Sequence, residues 1–168
     1  MGKVYLISDM HFNHTNILKY ENRPFKDVMD MNKTIIKKWN SIVDKDDKVF
    51  ILGDFGFGDK EILTQIFQKL GGNKVLIMGN HDKRKSIKWW LDIGFKEVYK
   101  YPIIYDNHFI LSHEPLMNVP ESFFNIHGHL HSKTMNEPNK YYNVSVERIN
   151  FKPINYKIIR NLHYDCKK

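Results

Sequence analysis

The sequence predicts an α/β fold in which two packed, mostly mixed β-sheets are flanked by helices. Three observations lead there. Short apolar runs rich in Val, Ile, Leu and Tyr recur along the chain. In the first half they alternate with segments whose apolar residues return every three or four positions, the period of a helix face. In the second half they follow one another with turn residues between them. Alternating strands and helices make βαβ units, and the strand-rich remainder makes a second sheet.

Val4 to Ser8, Val49 to Leu52 and Lys74 to Met78 are the first three strands, apolar enough to be buried on both faces. Between the first two, Val28, Met31, Ile35, Trp39 and Ile42 fall on one helical face behind Asp27, a suitable N-cap. Between the second and third, Ile62, Leu63, Ile66, Phe67 and Leu70 do the same, opened by Asp59 and closed by Gly71 and Gly72. A shorter helix covers Ile87 to Leu91 and stops at Gly94. Val98 to Tyr105 and Phe109 to Ser112 flank Asp106-Asn107, a hairpin turn pair. Phe124 to His127, Tyr141 to Val146 and Ile154 to Ile159 read as further strands. With no internal repeat, low-complexity tract or linker, one domain over residues 1–168 is the expectation.

Lys and Arg outnumber Asp and Glu by 26 to 19, a formal charge of +7. Such a field favours anionic partners, phosphate-bearing substrates among them, although surplus lysines serve equally as a solvated surface. The single cysteine, Cys166, excludes an intramolecular disulfide and sits in a polar tail ill suited to a nucleophile. No apolar run approaches the ~20 residues of a membrane span, and the N-terminus has no secretory h-region. A cytoplasmic protein without membrane contact is therefore expected.

The chemistry lies where strands end. Ile7-Ser8-Asp9-Met10-His11, Leu52-Gly53-Asp54, Met78-Gly79-Asn80-His81-Asp82, Leu111-Ser112-His113 and Ile126-His127-Gly128-His129-Leu130-His131 each place oxygen or nitrogen donors just past an apolar run. In open α/β sheets the ligand crevice lies outside the carboxyl ends of strands, so five such ends can converge. Within Asp9-x-His11 and His129-x-His131 an extended backbone would point both donors to one side. Glycines at 53, 79 and 128 allow sharp turns and close packing beside them. Buried unpaired, these groups would cost roughly 1–3 kcal/mol each, whereas a metal pair satisfies them together. Asp54-Phe55-Gly56 spells a kinase tripeptide but lacks its companion motifs, and Gly53, Gly56 and Gly58 match no dinucleotide or P-loop spacing. Nothing resembles an aromatic RNA-binding motif, so nucleic acid as a partner is not indicated by any motif.

These five blocks resemble the calcineurin-like metallophosphoesterase superfamily, whose signature runs Asp-x-His, Gly-Asp, Gly-Asn-His-Asp or Glu, a separate His, and Gly-His-x-His. Asn22-Arg23-Pro24-Phe25, Trp39-Asn40, His113-Glu114-Pro115 and Asn143-Val144-Ser145-Val146 extend the resemblance to a small single-domain branch of bacteria and phages. The resemblance implies a four-layer αββα sandwich with two divalent ions. Asp9, His11 and His131 would hold one, Asn80, His113 and His129 the other, and Asp54 would bridge them. Neutral imidazoles with carboxylates suit Mn2+, Fe2+ or Zn2+ better than Ca2+, with Mn2+ favoured. A water shared by the ions would attack phosphorus. By the same resemblance, His81 would protonate the leaving oxygen, with Asp82 orienting its ring; the alternative is a further metal ligand.

Other residues carry two readings each. Lys83 and Arg84 either meet substrate phosphate or form a solvated pair. His14 either borders the substrate or starts a helix before Ile17 and Leu18, and Arg23 is either a phosphate clamp or a loop anchor. His127 reads as a packed strand histidine, and His108 and His163 as ordinary loop or surface residues. The expected activity is a phosphodiesterase on small nucleotide-like, including cyclic, substrates. A nuclease or phosphomonoesterase is the alternative, and a protein-interaction scaffold on the same fold is the alternative of another class. Oligomeric state is left open by the sequence.

Overall fold

The computed structural model describes residues 2–165. In chain order the elements are β1 (Val4–Ile7), α1 (Ile17–Tyr20), α2 (Val28–Asn40), β2 (Lys48–Ile51), α3 (Lys60–Gln68), β3 (Asn73–Ile77), α4 (Ile87–Ile93), β4 (Glu97–Tyr99), β5 (Ile103–Tyr105), β6 (Phe109–Leu111), β7 (Phe124–His127), β8 (Tyr141–Asn143), β9 (Ile154–Asn155) and α5 (Tyr156–Asp165). One sheet has the order β4-β3-β2-β1-β9 and the other β5-β6-β7-β8. In the first, β1 to β4 run parallel and only β9 is antiparallel; in the second, β5 is antiparallel to β6 while β6, β7 and β8 are parallel.

Alternation along the strands builds two cores. Ile7, Ile51 and Leu76 lie in register and face the helices, where they meet Met31, Ile35, Trp39, Leu63 and Trp90. Leu6, Phe50 and Val75 point the other way, toward Phe109, Leu111, Phe124 and Ile126 of the second sheet. Being apolar on both faces, these strands are held in place by both layers. Burying a side chain such as Ile35 contributes about 1.5–3 kcal/mol.

The helices start where the sequence offers a cap. Asp27 accepts from Asp30 N at 2.8 Å and Asp59 from Ile62 N at 2.9 Å; each satisfies an amide that the first helical turn leaves unpaired. Ser86 does the same for α4 through Trp89 N, and Gly94, at φ +125°, ends that helix.

Three expectations need correction. The run from Val98 to Tyr105 is not one strand: β4 closes the first sheet, β5 opens the second, and Pro102 between them has no N–H to give a ladder. The hairpin at Asp106-Asn107 survives, as a three-residue loop from Asp106 to His108 between the paired Tyr105 and Phe109, with Asp106 and Asn107 at positive φ. Ile154 to Ile159 is not a strand either, since pairing stops at Asn155, whose side-chain oxygen accepts from Lys157 N and helps start α5. His163 is accordingly not a surface residue: α5 buries it with Tyr156 and Ile159, its ring against Phe124 at 4.4 Å and Phe109 at 5.5 Å. Cys166 lies outside the described residues. No helix among the described residues is long and apolar enough to cross a membrane.

Beyond β8 the chain passes from one sheet to the other. Val144 N donates to His127 O, Ser8 N to Val144 O and Val146 N to Ser8 O. These bonds pin the end of β1 against the end of β7, and so fix Asp9 beside the Gly128–His131 turn.

Candidate metal centre

Five strands deliver the donors from their carboxyl ends: β1 leads to Asp9 and His11, β2 to Asp54, β3 to Asn80, β6 to His113, and β7 to His129 and His131. The structure brings all seven together. Asp54 Oδ2 is the centre, 3.5 Å from His11 Nε2 and 3.6 Å from His113 Nε2. Asp9 Oδ1 lies 4.0 Å from His131 Nε2. Candidate ligand atoms of Asp9, His11 and His131 lie within 4.8 Å of one another, as do those of Asp9, Asp54 and His113. His113 Nε2 also faces Asn80 Oδ1 at 2.9 Å and His129 Nδ1 at 3.1 Å.

Divalent ions fit this donor set on two observations. The buried atoms Asp9 Oδ1, His11 Nδ1 and His11 Nε2 have no hydrogen-bond partner among the described residues, although buried polar groups are normally paired. His113 Nδ1 lies 2.8 Å from Leu52 O, which can only accept, so the neutral ring carries its proton there. Its Nε2 lone pair then points at the Asn80 oxygen, a repulsion that a cation converts into coordination.

Electrostatics agree. Burial first, and the neighbouring Asp9 charge second, push Asp54 up to about 7. Burial, followed by His131, drives His11 far below its ordinary value. The volume thus disfavours both a bare carboxylate charge and an imidazolium, and divalent cations reverse the first penalty while using the neutral imidazoles.

The backbone differs from the extended geometry expected of the Asp-x-His and His-x-His pairs. Asp9, His11, Asp54, His129 and His131 all sit at positive φ, between 50° and 67°. Each left-handed residue costs on the order of 1–3 kcal/mol, and the strain is held by bonds such as Asp9 N to Gly53 O and His11 N to Asp54 O. Two glycines make the crowding tolerable. A Cβ on Gly79 would strike Asp54 Oδ1, and one on Gly128 would strike Ser8 Oγ and Asp9 Oδ2.

The sequence profile described as calcineurin-like phosphoesterase matches residues 2–164. The chain belongs to the calcineurin-like phosphoesterase family. It is a metal-dependent phosphoesterase by that membership. An uncharacterized protein of Methanocaldococcus jannaschii is 40% identical over 173 residues, covering 96% of this chain and 92% of that one. The gene 66 protein of Mycobacterium phage L5 is 35% identical over 85 residues, which span 49% of this chain and 41% of the phage protein. The crystal structure of a protein of unknown function from Aquifex aeolicus superposes with a TM-score of 0.74 at 27% identity, covering 96% of this chain and all of that one.

Around the metal centre of this phosphoesterase, the remaining predicted residues divide. His81 stands at the rim with Nε2 3.9 Å from Asp54 Oδ2, and burial, then Arg84, holds its pKa below the ordinary value. Asp82 does not orient the His81 ring. It is buried, and its carboxylate accepts from Asp54 N at 2.6 Å, Gly79 N at 2.9 Å and Phe55 N at 3.1 Å, so it ties the β2 loop to the β3 loop. Lys83 and Arg84 are exposed on the single 3-10 turn Asp82–Arg84 that follows His81. His14 lies at the edge, its ring stacked on Phe57 at 4.2 Å and 5.4 Å from His11. Arg23 is a loop anchor and not a phosphate clamp, since its guanidinium is fully buried and donates to Asp9 O, Met10 O and Glu147. His127 is the packed strand histidine expected, with Nδ1 2.8 Å from Gly128 O, and His108 is exposed.

Four contributors, Asn143, Ser145, Glu147 and Phe57, had no site role in the sequence, although Asn143 and Ser145 stand in a stretch that carries the family resemblance. Ser145 Oγ and His129 N both donate to Asp9 Oδ2 at 2.8 Å. Asn143 Nδ2 donates to His131 O and Lys133 O, steadying the turn that carries His131. Glu147 Oε1 lies 3.1 Å from His131 Nδ1. The signal for Glu147 was its place directly after the Asn143-to-Val146 stretch; for Phe57 there was none.

Proposed function

We propose that this enzyme is a phosphodiesterase acting on small nucleotide-like substrates, cyclic ones included. In this reading Asp9, His11 and His131 hold one divalent ion, Asn80, His113 and His129 a second, and Asp54 is shared. The observation that carries it is Asp54 Oδ2, nearly equidistant from His11 Nε2 and His113 Nε2 at 3.5 and 3.6 Å, one donor from each set. The imidazole and carboxylate set favours Mn2+, with Fe2+ or Zn2+ also accommodated. Bound there, the ions would supply positive charge that acidifies water and offsets charge on the phosphoryl oxygens.

The chain's own residues do the rest. His81 stands at the rim, with its Nε2 3.9 Å from Asp54 Oδ2, placed to hand a proton to the departing oxygen. Arg84 and Lys83, on the adjoining turn, attract the substrate's phosphate. The His14–Phe57 stack offers a flat aromatic surface at the lip, 5.0 Å from the His81 ring, suited to a nucleobase. The enzyme acts in the cytoplasm, as one domain over residues 1–168.

The test is a screen of the Mn2+-reconstituted enzyme over phosphomonoesters, bis-p-nitrophenyl phosphate, cyclic nucleotides and single-stranded oligonucleotides. Diester and cyclic-nucleotide hydrolysis exceeding monoester hydrolysis by tenfold or more is expected. Turnover confined to monoesters, or a steep fall with salt on oligonucleotides alone, would replace the substrate class; no turnover on any of them would favour the scaffold reading.

A further inference from the structure

Two stretches take no part in the proposed reaction itself, Asn22-Arg23-Pro24-Phe25 and the segment from Asn143 to Glu147. Although 124 residues apart, Arg23 and Glu147 meet in the interior: Arg23 Nε at 2.9 Å and Nη2 at 2.6 Å both donate to Glu147 Oε1. The two side chains are 0% and 8% exposed. We propose that Arg23 and Glu147 are a positioning pair for one of the two ions, the one held by Asp9, His11 and His131, and leave the other unaffected. This rests on the ligand assignment just given.

His131 links the pair to that ion. Its Nδ1 lies 3.1 Å from Glu147 Oε1. A carboxylate already accepting from arginine can only accept again, so Nδ1 carries the hydrogen and the lone pair is forced onto Nε2. Nε2 is the atom on the Asp9 side, 4.0 Å from Asp9 Oδ1. Carboxylate partners of ligating histidines fix tautomer and ring orientation in this way, and their loss lowers metal affinity about 10–100-fold.

Arg23 acts on the opposite ligand. Its Nη2 donates to Asp9 O at 2.7 Å and its Nη1 to Met10 O at 2.9 Å. Those carbonyls belong to the Asp9–His11 turn, in which Asp9, φ 57°, and His11, φ 50°, are left-handed. One guanidinium therefore clamps the strained Asp9–His11 turn and, through Glu147, the His131 ring. Among the described residues, the side-chain hydrogen bonds of Asn80, His113 and His129 reach neither Arg23 nor Glu147, and His129 meets the clamped turn through its backbone N on Asp9 Oδ2 and not through its ring, so the effect falls on the ion held by Asp9, His11 and His131.

Glu147 and His131 also belong with Glu21 to a group that could hold a cation. Glu147 Oε1 and His131 Nδ1 are already bonded to each other, and an ion there would lie against the Arg23 charge. A third ion is thus the outcome opposed to positioning.

The experiment titrates the metal-free full chain with Mn2+ alone, followed by calorimetry and electron paramagnetic resonance. Wild type is expected to take two equivalents and give a spin-coupled spectrum. Glu147→Gln should bind one equivalent as wild type does and the other 10–100-fold more weakly, with an uncoupled spectrum at low Mn2+ and kcat recovered at saturating Mn2+. Because a lone buried charge can unfold a protein, the second variant is Arg23→Met with Glu147→Leu, which removes both charges at once. The same selective weakening in the folded double variant supports positioning. Wild-type affinity for both ions there, equal weakening of both, or loss of a third equivalent in Glu147→Gln would overturn it. Fewer than two ions in wild type would instead overturn the ligand assignment on which it rests.

Discussion

His113 presents Nε2 to the side-chain oxygen of Asn80 at 2.9 Å while its Nδ1 lies 2.8 Å from Leu52 O. With the ring proton committed to Leu52, the first pair is two acceptors facing each other. Such an arrangement is tolerated in a fold built around cations and is unfavourable without them. Mn2+ should therefore stabilise the chelator-treated protein by about 2.7 kcal/mol for each ion bound at a hundredfold excess over its Kd, or roughly 5–10 °C in Tm per ion. Asp54→Asn, which weakens both ion sites in the assignment above, should remove most of that shift. Thermal melts with and without Mn2+ measure both.

His81 and Asp82 are neighbours in sequence with separate tasks. Asp82 satisfies three buried amides from two loops, and Asp82→Asn turns one acceptor oxygen into a donor facing a donor. A loss of about 1.5–3 kcal/mol is expected, visible in urea unfolding of the metal-free protein. His81→Asn should change stability by less than about 0.5 kcal/mol and keep both ions, yet lower kcat by roughly 10²–10⁴. If His81→Asn loses an ion instead, His81 is a ligand and not the proton donor.

The contrast shows what the sequence carried and where it stopped. Strand ends were legible because apolar runs break abruptly at Asp9, Asp54, Asn80 and His113, and the caps Asp27 and Asp59 announce their helices by side-chain chemistry alone. Left-handed φ at Asp9, His11, His129 and His131 left no trace, since only glycine advertises that conformation in sequence. The Arg23–Glu147 contact spans 124 residues and depends on two sheets joining at Ser8 and Ser145. In the tail, Ile154 to Ile159 is apolar at a length where strand and helix cannot be told apart, and packing of Tyr156 and His163 on Phe109 decided for the helix.

Lys74 offers a pH dependence away from the metal centre. Its Nζ donates to Leu70 O and Gly72 O and lies 4.2 Å from the Phe67 ring centroid. Burial, then Lys96, lowers its pKa from 10.5 to about 8. Between those values the unfolded chain holds a proton that the folded chain has released, so folding stability rises with pH from about 8 to 10.5. Below pH 8 both states are charged and the contribution is flat. Urea unfolding at pH 7.5, 9 and 10 should therefore show wild type gaining on Lys74→Met, by at most on the order of 3 kcal/mol. A constant difference would mean that the two carbonyls hold the ammonium at its ordinary pKa.

Gly128 has no positive φ, so any effect of Gly128→Ala comes from crowding alone. The added methyl would meet Ser8 Oγ and Asp9 Oδ2. Neither can withdraw easily: Ser8 Oγ donates to Leu52 O, and Asp9 Oδ2 accepts from Ser145 and His129. Displacement of the Asp9 carboxylate should weaken Mn2+ binding more than tenfold, with a stability loss of about 1–3 kcal/mol. Calorimetric titration with Mn2+ provides the measurement, and unchanged affinity would show that the Gly128 turn can move without Asp9.

Arg84 is exposed on the turn that begins immediately after His81, and its charge is the second cause, after burial, of the lowered His81 pKa. Two effects should separate in Arg84→Ala. Losing a cation that meets the substrate's phosphate raises KM about tenfold while leaving kcat within about twofold. Removing the same charge lets the His81 pKa rise toward 6.5. A proton donor must be protonated to act, so the limb of the kcat/KM profile where activity falls with rising pH should move to higher pH in the variant. A raised KM with an unmoved limb would keep Arg84 as a substrate contact and count against His81 as the donor, whereas an unchanged KM would make Arg84 one more solvated cation on a basic surface.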